Sequence, residues 1–340
     1  MTTRILSFME SYGLSWFVPF FKLFSGKDPV NQLKAIFASI GVPVLAFLAF
    51  LLLWDLGAKQ VETSLGTLPG PAQVMEQAEN LWAEHKAELA KEDAFYARQQ
   101  IRNDAKLAKD PTAEVKWRTY NGRATFIDQI FTSLITVFVG FLIASAIAIP
   151  LGILCGLNQT VYSAVNPLIQ IFKPVSPLAW LPIVTMVVSA VYVSNDPAFP
   201  KSFITSAITV TLCCLWPTLI NTAVGVSSID KDLINVSRVL QLGWWRKIYK
   251  IVLPSSIPMV FTGLRLSLGV GWMVLIAAEM LAQNPGLGKF VWDEFQNGSS
   301  NSLGRIMVAV FAIGLIGYVL DRLMLSMQKM VSWDKNAILR

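Results

Sequence analysis

Several apolar runs in this sequence are each close to the roughly 20 residues that a helix needs to cross a bilayer. Six spans can be read, at residues 36–56, 131–157, 178–192, 203–224, 258–281 and 306–325. Backbone groups in hydrocarbon must be paired within their own segment, so each span is expected to be a helix. Charged residues make up only 15% of the chain, against about 25% in soluble domains. The sequence therefore predicts an all-α polytopic membrane protein with about six transmembrane helices.

The Lys and Arg residues flank the apolar runs, a distribution that indicates membrane orientation rather than nucleic-acid binding. If the N-terminus is cytoplasmic, fourteen of them lie inside and only Lys201, Lys289 and Arg305 lie in the two short outside loops. The positive-inside rule then predicts cytoplasmic N- and C-termini. The segment 1–35 lacks an evident cleavable signal, and its broken, aromatic-rich stretch at 5–24 is expected to form an interfacial helix or a disordered tail. The tail 329–340 is expected in the cytoplasm.

Segment 57–124 is the longest polar stretch, and it balances ten basic against ten acidic residues. Its residues 71–110 are rich in Ala, Glu, Lys and Gln, which favour helix. We expect a periplasmic, solvated helical hairpin, with a role in receiving a soluble partner as the alternative. His85, the sole histidine of the chain, is expected to be an ordinary solvated side chain.

The sequence offers no catalytic or metal-binding motif. Cys155, Cys213 and Cys214 lie in apolar spans without metal-ligand spacing, so they are expected to behave as buried hydrophobes. The string "NPGLGKF" at 284–290 only partly matches a phosphate-binding loop. The preceding residue, Gln283, stands where the first glycine of such a loop is required, and no Ser or Thr follows Lys289. We therefore expect no catalytic residue, no bound metal and no hydrolysis by this chain.

Arg265 and Glu279 are the ionisable residues that lie well inside a predicted span. A charge at mid-bilayer costs at least about 2.5–3.5 kcal/mol, so each is expected to face protein or a water-filled path. Arg265 is interpreted either as part of an anion path or as a structural partner for a neighbouring helix. Glu279 lies near the outer end, where a rim or packing role is the alternative. The candidate translocation-path residues are Trp216, Asn221, Arg265, Trp272 and Glu279.

The loop 227–256 carries five basic residues and an apolar stripe. Ile229, Leu233, Val236 and Leu240 follow the spacing of one helix face, and "LGWWRKIYKIVLP" is expected to continue helically until Pro254. A docking site for a protein partner is predicted here, with a membrane-surface helix as the alternative. The candidate docking residues are Leu233, Asn235, Val236, Ser237, Arg238, Leu240, Gln241, Gly243, Arg246 and Lys247.

The stretch "NVSRVLQLGWWRKIYKIVLP" resembles the cytoplasmic "EAA" loop of bacterial ABC-importer permeases. Asn235, Val236 and Ser237 stand at the EAA positions, Gln241 stands at the glycine position, and Gly243 follows two positions later. The motifs "LPGPAQV", "PVSPLAWLPI", "WPTLINTAVGV", "VFTGLRLSLGVGWMVLIAAEML" and "FVWDEFQN" are similar to those of nitrate and bicarbonate importer permeases, relatives of the taurine and sulfonate permeases. The resemblance covers about 36–75 and 125–328, leaving most of the 57–124 insertion outside it.

This resemblance implies the permease fold of type I ABC importers, with a core at 125–328 and a cytoplasmic coupling helix in the 227–256 loop. It implies a second permease copy, two cytoplasmic ATPases that hold ATP and Mg²⁺, and a periplasmic or lipid-anchored binding protein. The chain itself is expected to sit among lipids of the bacterial inner membrane and to bind no cofactor and no nucleic acid. Nitrate or nitrite is the leading cargo; bicarbonate, cyanate and taurine or other sulfonates are alternatives. An ATP-independent transporter or channel, or a membrane scaffold, are the competing classes.

Overall fold

The computed structural model describes residues 29–63, 66–110, 114–193, 199–299 and 301–331. Apart from one two-residue strand pair, its regular structure is helical, as predicted. The predicted interfacial helix at 5–24 and the end of the C-terminal tail lie outside the described residues. The elements are α1 (Pro29–Ile36), α2 (Val42–Ala58), β1 (Glu62–Thr63), β2 (Gly66–Thr67), α3 (Pro71–Lys109), α4 (Phe126–Leu157), α5 (Gln159–Phe172), α6 (Pro177–Val191), α7 (Lys201–Ser227), α8 (Lys231–Val239), α9 (Trp244–Lys247), α10 (Leu253–Ala282), α11 (Leu287–Asn297) and α12 (Ser302–Val331).

The first span is the most apolar helix and the least buried. Helices α1 and α2 are joined by a π-helical turn, Phe37–Gly41, and Leu33–Ala58 forms one span with a mean hydropathy of 2.6. None of its most apolar stretch is buried inside the protein. Its Trp54 packs against Phe311 of α12, with ring centroids 5.2 Å apart. An apolar helix whose surface the rest of the protein leaves uncovered is expected to contact lipid.

The remaining long helices form the core, and their directions follow from which residues meet. Helices α4 and α7 run parallel, since Gly140 lies beside Ala207 and Gly156 lies beside Ala223. Helix α10 runs antiparallel to α7, and α12 antiparallel to α10. The insertion 57–124 therefore lies at one end of the bundle, called here the insertion end. The loop 228–252 and the end of α12 lie at the other, called the loop end.

Small residues allow the close approach of α4 and α7. A Cβ atom at Gly152 would lie 2.7 Å from the Thr222 Cβ and 2.8 Å from the Leu219 carbonyl oxygen. Gly152 and Gly156 form a GxxxG pattern, which in membranes brings two helix backbones together because no side chain separates them. The main apolar core lies beside this contact and includes Val137, Phe141, Val210, Leu268, Trp272, Leu275, Leu287 and Val308.

The span predicted at 178–192 is not one straight helix. The observed α6 has 15 residues, too short to cross about 30 Å of hydrocarbon by itself. It follows α5 after a short break, and the two helices are bent by 101°. Because α4 ends at the loop end and the parallel α7 begins at the insertion end, the chain crosses once between them, through this bent pair. Within the described residues, five apolar helices and this one broken span thus give the six crossings that the sequence predicts.

The predicted helical hairpin in segment 57–124 is wrong. One 39-residue helix, α3, fills it, and residues 114–125 return along the helix in extended form. Gln99 makes two hydrogen bonds to the backbone of Arg118, and Tyr120 Oη donates to Glu88 Oε1 at 2.7 Å. Hydrogen bonds from Lys91 and Tyr120 lower the pKa of Glu88. This extended stretch, called here the return strand although it is not part of a β-sheet, is held by side-chain bonds and takes the place that a second helix would occupy.

The expectation of a solvated His85 is also wrong. Its Nδ1 lies 2.7 Å from Thr125 Oγ1, and its ring packs against Trp82. Thr125 is the N-cap of α4, with its backbone N–H bonded to Asp128 in a capping box. His85 therefore joins α3 to the start of the second span, which ties the insertion to the core.

A charged contact makes a second connection between insertion and core. Arg305, at the start of α12, pairs with Glu84 of α3 and with the buried Glu294 of α11, 3.1 Å away. Beside it, Gln77 of α3 is buried against Gly304. The first half of α3 is thus packed on the bundle, whereas its second half extends away with the return strand.

Candidate functional site

The loop between α7 and α10 forms a short helix at the loop end. Asp230 caps α8 by accepting a hydrogen bond from the Asp232 N–H at 2.9 Å. Ile229 packs on a small apolar cluster of Ile153, Val226, Ile248 and Val252. Beyond that anchor the apolar stripe faces outward: the exposed fractions are 44% for Leu233, 49% for Val236 and 63% for Leu240. An apolar stripe left uncovered by the chain itself is typical of a protein contact surface.

The loop does not continue as one helix to Pro254. Helix α8 ends at Val239, and Gln241 has a left-handed backbone, φ 47°, which turns the chain. A second helix begins at Trp244 and passes Pro254 into α10, so that Trp244–Ala282 is one span of 39 residues. The π-helical turn Ile248–Val252 precedes the proline, and Leu253 N–H bonds to Ile248 O. This wider turn lets the chain pass a residue that has no N–H.

The remaining candidate docking residues surround this turn. Asn235, Arg238, Gly243 and Arg246 are exposed, and Lys247 is half-buried. Ser237 differs, because it is buried and its hydroxyl donates to Ile234 O at 2.6 Å. Its contribution is therefore internal support of α8. The two tryptophans that follow, Trp244 and Trp245, are exposed and pack edge to face on each other.

A second candidate region lies in the middle of α7, where Pro217 stands within the helix. In a regular helix the Thr218 N–H would bond the Cys214 carbonyl. Here the Ser267 hydroxyl of α10 bonds both groups, accepting from Thr218 N at 3.1 Å and donating to Cys214 O at 2.5 Å. Asn221 Nδ2 donates to Pro217 O at 2.8 Å. Pro217 has no N–H, so the hydrogen-bond ladder of α7 is interrupted at this position, called here the Pro217 break, and Ser267 of α10 bonds the backbone beside it.

Trp216 lies beside this break and faces the bent α5–α6 pair. Its ring is stacked with Phe172, with centroids 6.2 Å apart and an interplanar angle of 11°. Phe172 in turn contacts Trp180 of α6 at 5.7 Å. These aromatic contacts join the broken span to the proline break of α7.

Arg265 forms an ion pair that the sequence did not predict. Its Nε lies 2.5 Å from Asp321 Oδ1 and its Nη2 lies 2.9 Å from Asp321 Oδ2, a bidentate contact between α10 and α12. The last predicted span ends at residue 325, whereas α12 continues to Val331. Asp321 therefore belongs to the body of α12 and not to its last turn. A cavity of about 200 Å³ adjoins the pair, lined also by Gly269, Trp272 and Gly317.

The five candidate path residues do not meet in one site. Arg265 and Trp272 share the cavity between α10 and α12, where Trp272 Nε1 donates to Ile313 O at 2.9 Å. Trp216 and Asn221 lie on α7, and Glu279 lies at the insertion end. Periodicity places residues around one helix axis, but it does not say which neighbouring helix each one faces.

Glu279 is fully buried in a polar knot at the insertion end. Its carboxyl oxygens lie 2.8 and 2.9 Å from Ser133 Oγ of α4, and one accepts from Gly288 N–H at 3.0 Å. Ser133 Oγ also accepts from Leu287 N–H at 2.9 Å. These bonds hold the turn between α10 and α11 against α4, the second span. The geometry supports the packing alternative for Glu279.

We expect Glu279→Ala to lower the thermal stability of the purified protein by several degrees. It leaves Ser133 Oγ and the Gly288 N–H without their carboxylate, at about 1–3 kcal/mol for each unsatisfied buried group. Glu279→Gln keeps a donor and an acceptor and should lose less. Glu62→Ala, in the exposed strand β1, is the matched control. Unfolding temperatures measured in detergent test this. Wild-type stability together with lost transport would instead place Glu279 in the path.

Comparison with known proteins agrees with this architecture. Residues 148–332 match the family described as binding-protein-dependent transport system inner membrane component. The nitrate import permease protein NrtB of Synechococcus elongatus is 39% identical over 204 residues, covering 60% of this chain and 69% of that protein. The bicarbonate transport system permease protein CmpB of Synechocystis is 34% identical over 292 residues, covering 85% and 88%.

Among solved structures, a chain of the MetNI methionine ABC transporter in an inward-facing conformation aligns with a TM-score of 0.52. It covers 61% of this chain and 95% of that one, at 14% sequence identity, so the likeness concerns the fold. The predicted type I ABC permease fold is confirmed. The chain belongs to the binding-protein-dependent transport system inner membrane component family, as a non-catalytic ABC importer permease of the nitrate and bicarbonate type.

Proposed function

We propose that this chain forms the membrane path of an ATP-driven importer of nitrate or nitrite. The main support is its 39% identity over 204 residues to the nitrate permease of Synechococcus elongatus. The proposed complex has two copies of this chain, two cytoplasmic ATPases and a periplasmic or lipid-anchored binding protein. ATP and Mg²⁺ are held by the ATPases, and this chain contributes no catalytic residue.

The proposed docking site for each ATPase is the outward stripe formed by Leu233 and Val236 of α8 and by Leu240 at its C-cap. The basic side chains Arg238 and Arg246 lie nearby and are exposed to an approaching surface. Closure of the ATPases on nucleotide moves α8, and α9 transmits the movement because it is continuous with α10. The Pro217 break is the proposed bending point at which the bundle changes between its two packings.

We place the loop end in the cytoplasm. Most of the basic residues outside the insertion lie in three places: the residues from the N-terminus to 34, the loop that contains α8 and α9, and the end of α12. The loop and the end of α12 lie at the same end of the bundle, because Gln328 of α12 bonds Pro258 at the start of α10, at 3.1 Å. The positive-inside rule then supports cytoplasmic termini and a periplasmic insertion.

The proposed anion path passes the Arg265 cavity. Arg265 supplies a cation inside the membrane, and its bidentate partner Asp321 keeps that charge compensated when no anion is present. The adjoining cavity of about 200 Å³ gives a small oxyanion room beside the guanidinium. Trp216, Asn221 and Trp272 are proposed as path or gate residues on the neighbouring helix faces.

Bicarbonate is the second candidate, because the match to the Synechocystis bicarbonate permease covers 85% of this chain. Both ions are small, planar oxyanions with one negative charge, and one arginine binds either. The permease core therefore gives little basis for choosing between them, and we assign most of the specificity to the binding protein. Cyanate, taurine and other sulfonates are the remaining alternatives.

Reconstitution of the complete transporter in proteoliposomes tests the proposal. We expect ATP-dependent uptake of ¹⁵N-nitrate at least tenfold above that of ¹³C-bicarbonate when both are supplied equally. Vesicles with this chain alone are expected to take up neither ion. Preference for bicarbonate would overturn the choice of cargo. Uptake by the chain alone, without ATP, would overturn the whole assignment.

A further inference from the structure

The distal part of the insertion contains a cavity that lies outside the proposed anion path. Residues 92–109 of α3 and the return strand 114–120 together form what is called here the arm, which extends from the insertion end. Helix α3 is about 58 Å long at 1.5 Å per residue, and its far end lies well away from the spans. Between helix and strand lies a cavity of about 470 Å³.

The cavity is lined by four cations and one carboxylate. Arg102 and Lys106 come from the helix, Lys116 and Arg118 come from the strand, and Glu114 is the carboxylate. Four like charges around one opening repel one another, and an anion between them removes that repulsion. The two arginines present planar forks that bind carboxylate or phosphate with two parallel hydrogen bonds.

One residue of the cavity lining has an unpaired hydrogen-bond donor, which is a second, independent indication of a ligand. Asn103 lines the cavity and is only 7% exposed, yet its Nδ2 has no hydrogen-bond partner among the described residues. A buried N–H without an acceptor costs about 1–3 kcal/mol. The neighbouring Gln99, by contrast, bonds both the N–H and the carbonyl of Arg118. The missing partner of Asn103 is therefore an acceptor, which an oxyanion supplies.

The walls are held in place before any ligand arrives. The two Gln99 bonds fix the strand to the helix, and Lys106 Nζ donates to the Glu114 carbonyl at 2.7 Å. Such a prebuilt site loses less entropy on binding. The cavity volume lies within the range of pockets for organic ligands, roughly 300–1,000 Å³, and it is larger than a three-oxygen ion such as nitrate needs.

We propose that the arm cavity binds a soluble, multiply charged oxyanion, either phosphate or an organic polycarboxylate. The side chains of Arg102 and Arg118 hold the charged oxygens, and Asn103 Nδ2 donates to one of them. This site is separate from the Arg265 cavity and does not depend on which anion is transported. Occupancy adds further contacts between the helix and the strand to those made by Gln99 and Lys106, and so stiffens the arm.

Calorimetric titration of the full chain in zwitterionic nanodiscs tests this, with citrate, inorganic phosphate and nitrate as probes. We expect citrate or phosphate to bind at least tenfold more tightly than nitrate, with binding weakened by salt. Arg102→Ala with Arg118→Ala should reduce that affinity at least tenfold, and Asn103→Leu should also reduce it. Arg98→Ala, an exposed arginine of the same helix outside the cavity lining, should change it less than twofold.

Hydrogen exchange supplies a readout that does not depend on transport. Bound citrate or phosphate should protect the amides of 92–109 and 114–120 in the wild-type chain and in Arg98→Ala. If the double variant unfolds, Lys116→Ala on the exposed strand repeats the test and should also weaken binding. Equal affinity in wild type and variants, equal affinity for nitrate, or binding seen only in nanodiscs with phosphatidylglycerol would overturn the proposal.

Discussion

Leu240→Asp is expected to abolish co-purification of the partner ATPases with this permease and, with it, ATP-dependent uptake. Leu240 is 63% exposed at the end of the α8 stripe, so the substitution leaves no hole in the chain's own core. In the assembled transporter the same side chain is proposed to lie in a dry contact. A carboxylate there is expected to cost about 2 kcal/mol or more, roughly a 30-fold loss of affinity.

The matched control is Ile101→Asp, which changes an equally apolar residue, 69% exposed, on the arm. It should leave ATPase recovery and uptake unchanged, because the arm lies at the opposite end of the bundle. Affinity purification from membranes, with ATPase bands quantified against permease, measures both variants. Recovery of ATPases with Leu240→Asp at the wild-type ratio would contradict docking through α8.

Arg265→Ala is expected to reduce kcat/KM for anion uptake by roughly 30- to 100-fold while the complex still assembles. Loss of a charged hydrogen bond to the passing anion corresponds to about 2–3 kcal/mol. The same change leaves Asp321 without its bidentate partner inside the membrane, so reduced stability is expected as well. Arg265→Ala alone therefore does not distinguish a role of Arg265 in the anion path from a role in packing α10 against α12.

The exchanged pair, Arg265→Asp with Asp321→Arg, separates the two roles. Both helices keep opposite charges at contact distance, so thermal stability should return close to that of wild type. Uptake should remain low, because the cation has moved from α10 to α12. Asp321→Asn should retain uptake and lower KM, since the competing carboxylate charge is removed. Full recovery of uptake in the exchanged pair would show that the ion pair only packs α10 against α12.

The insertion shows where sequence reasoning stops. Its composition predicted helix, and α3 is a helix of 39 residues. The hairpin was wrong because residues 114–125 carry weak local preferences, and their extended course is set by bonds to Gln99, Glu88 and His85. The partners of those bonds are 19, 32 and 40 residues apart in the chain. Local propensity carries no information over such separations.

The candidate residues divide in the same way. The apolar stripe of α8 follows from the spacing of Leu233, Val236 and Leu240, and the structure leaves that stripe exposed. Its role in docking stays a prediction. The sequence pattern did not predict the Arg265–Asp321 pair, because the two residues lie on different helices and are 56 positions apart in the chain. The Ser267 hydroxyl, which bonds the two backbone groups at the Pro217 break, likewise comes from another helix.

By itself the sequence determined the membrane class and the helical fold, because apolar length acts on each segment separately. It also carried the motifs by which the family is recognised. Only the tertiary structure decided which faces meet: the bent α5–α6 crossing, the buried contacts of Glu279, the partner of Arg265 and the extended return of the arm. Those depend on side chains from distant segments that share one space, and a one-dimensional pattern does not contain that proximity.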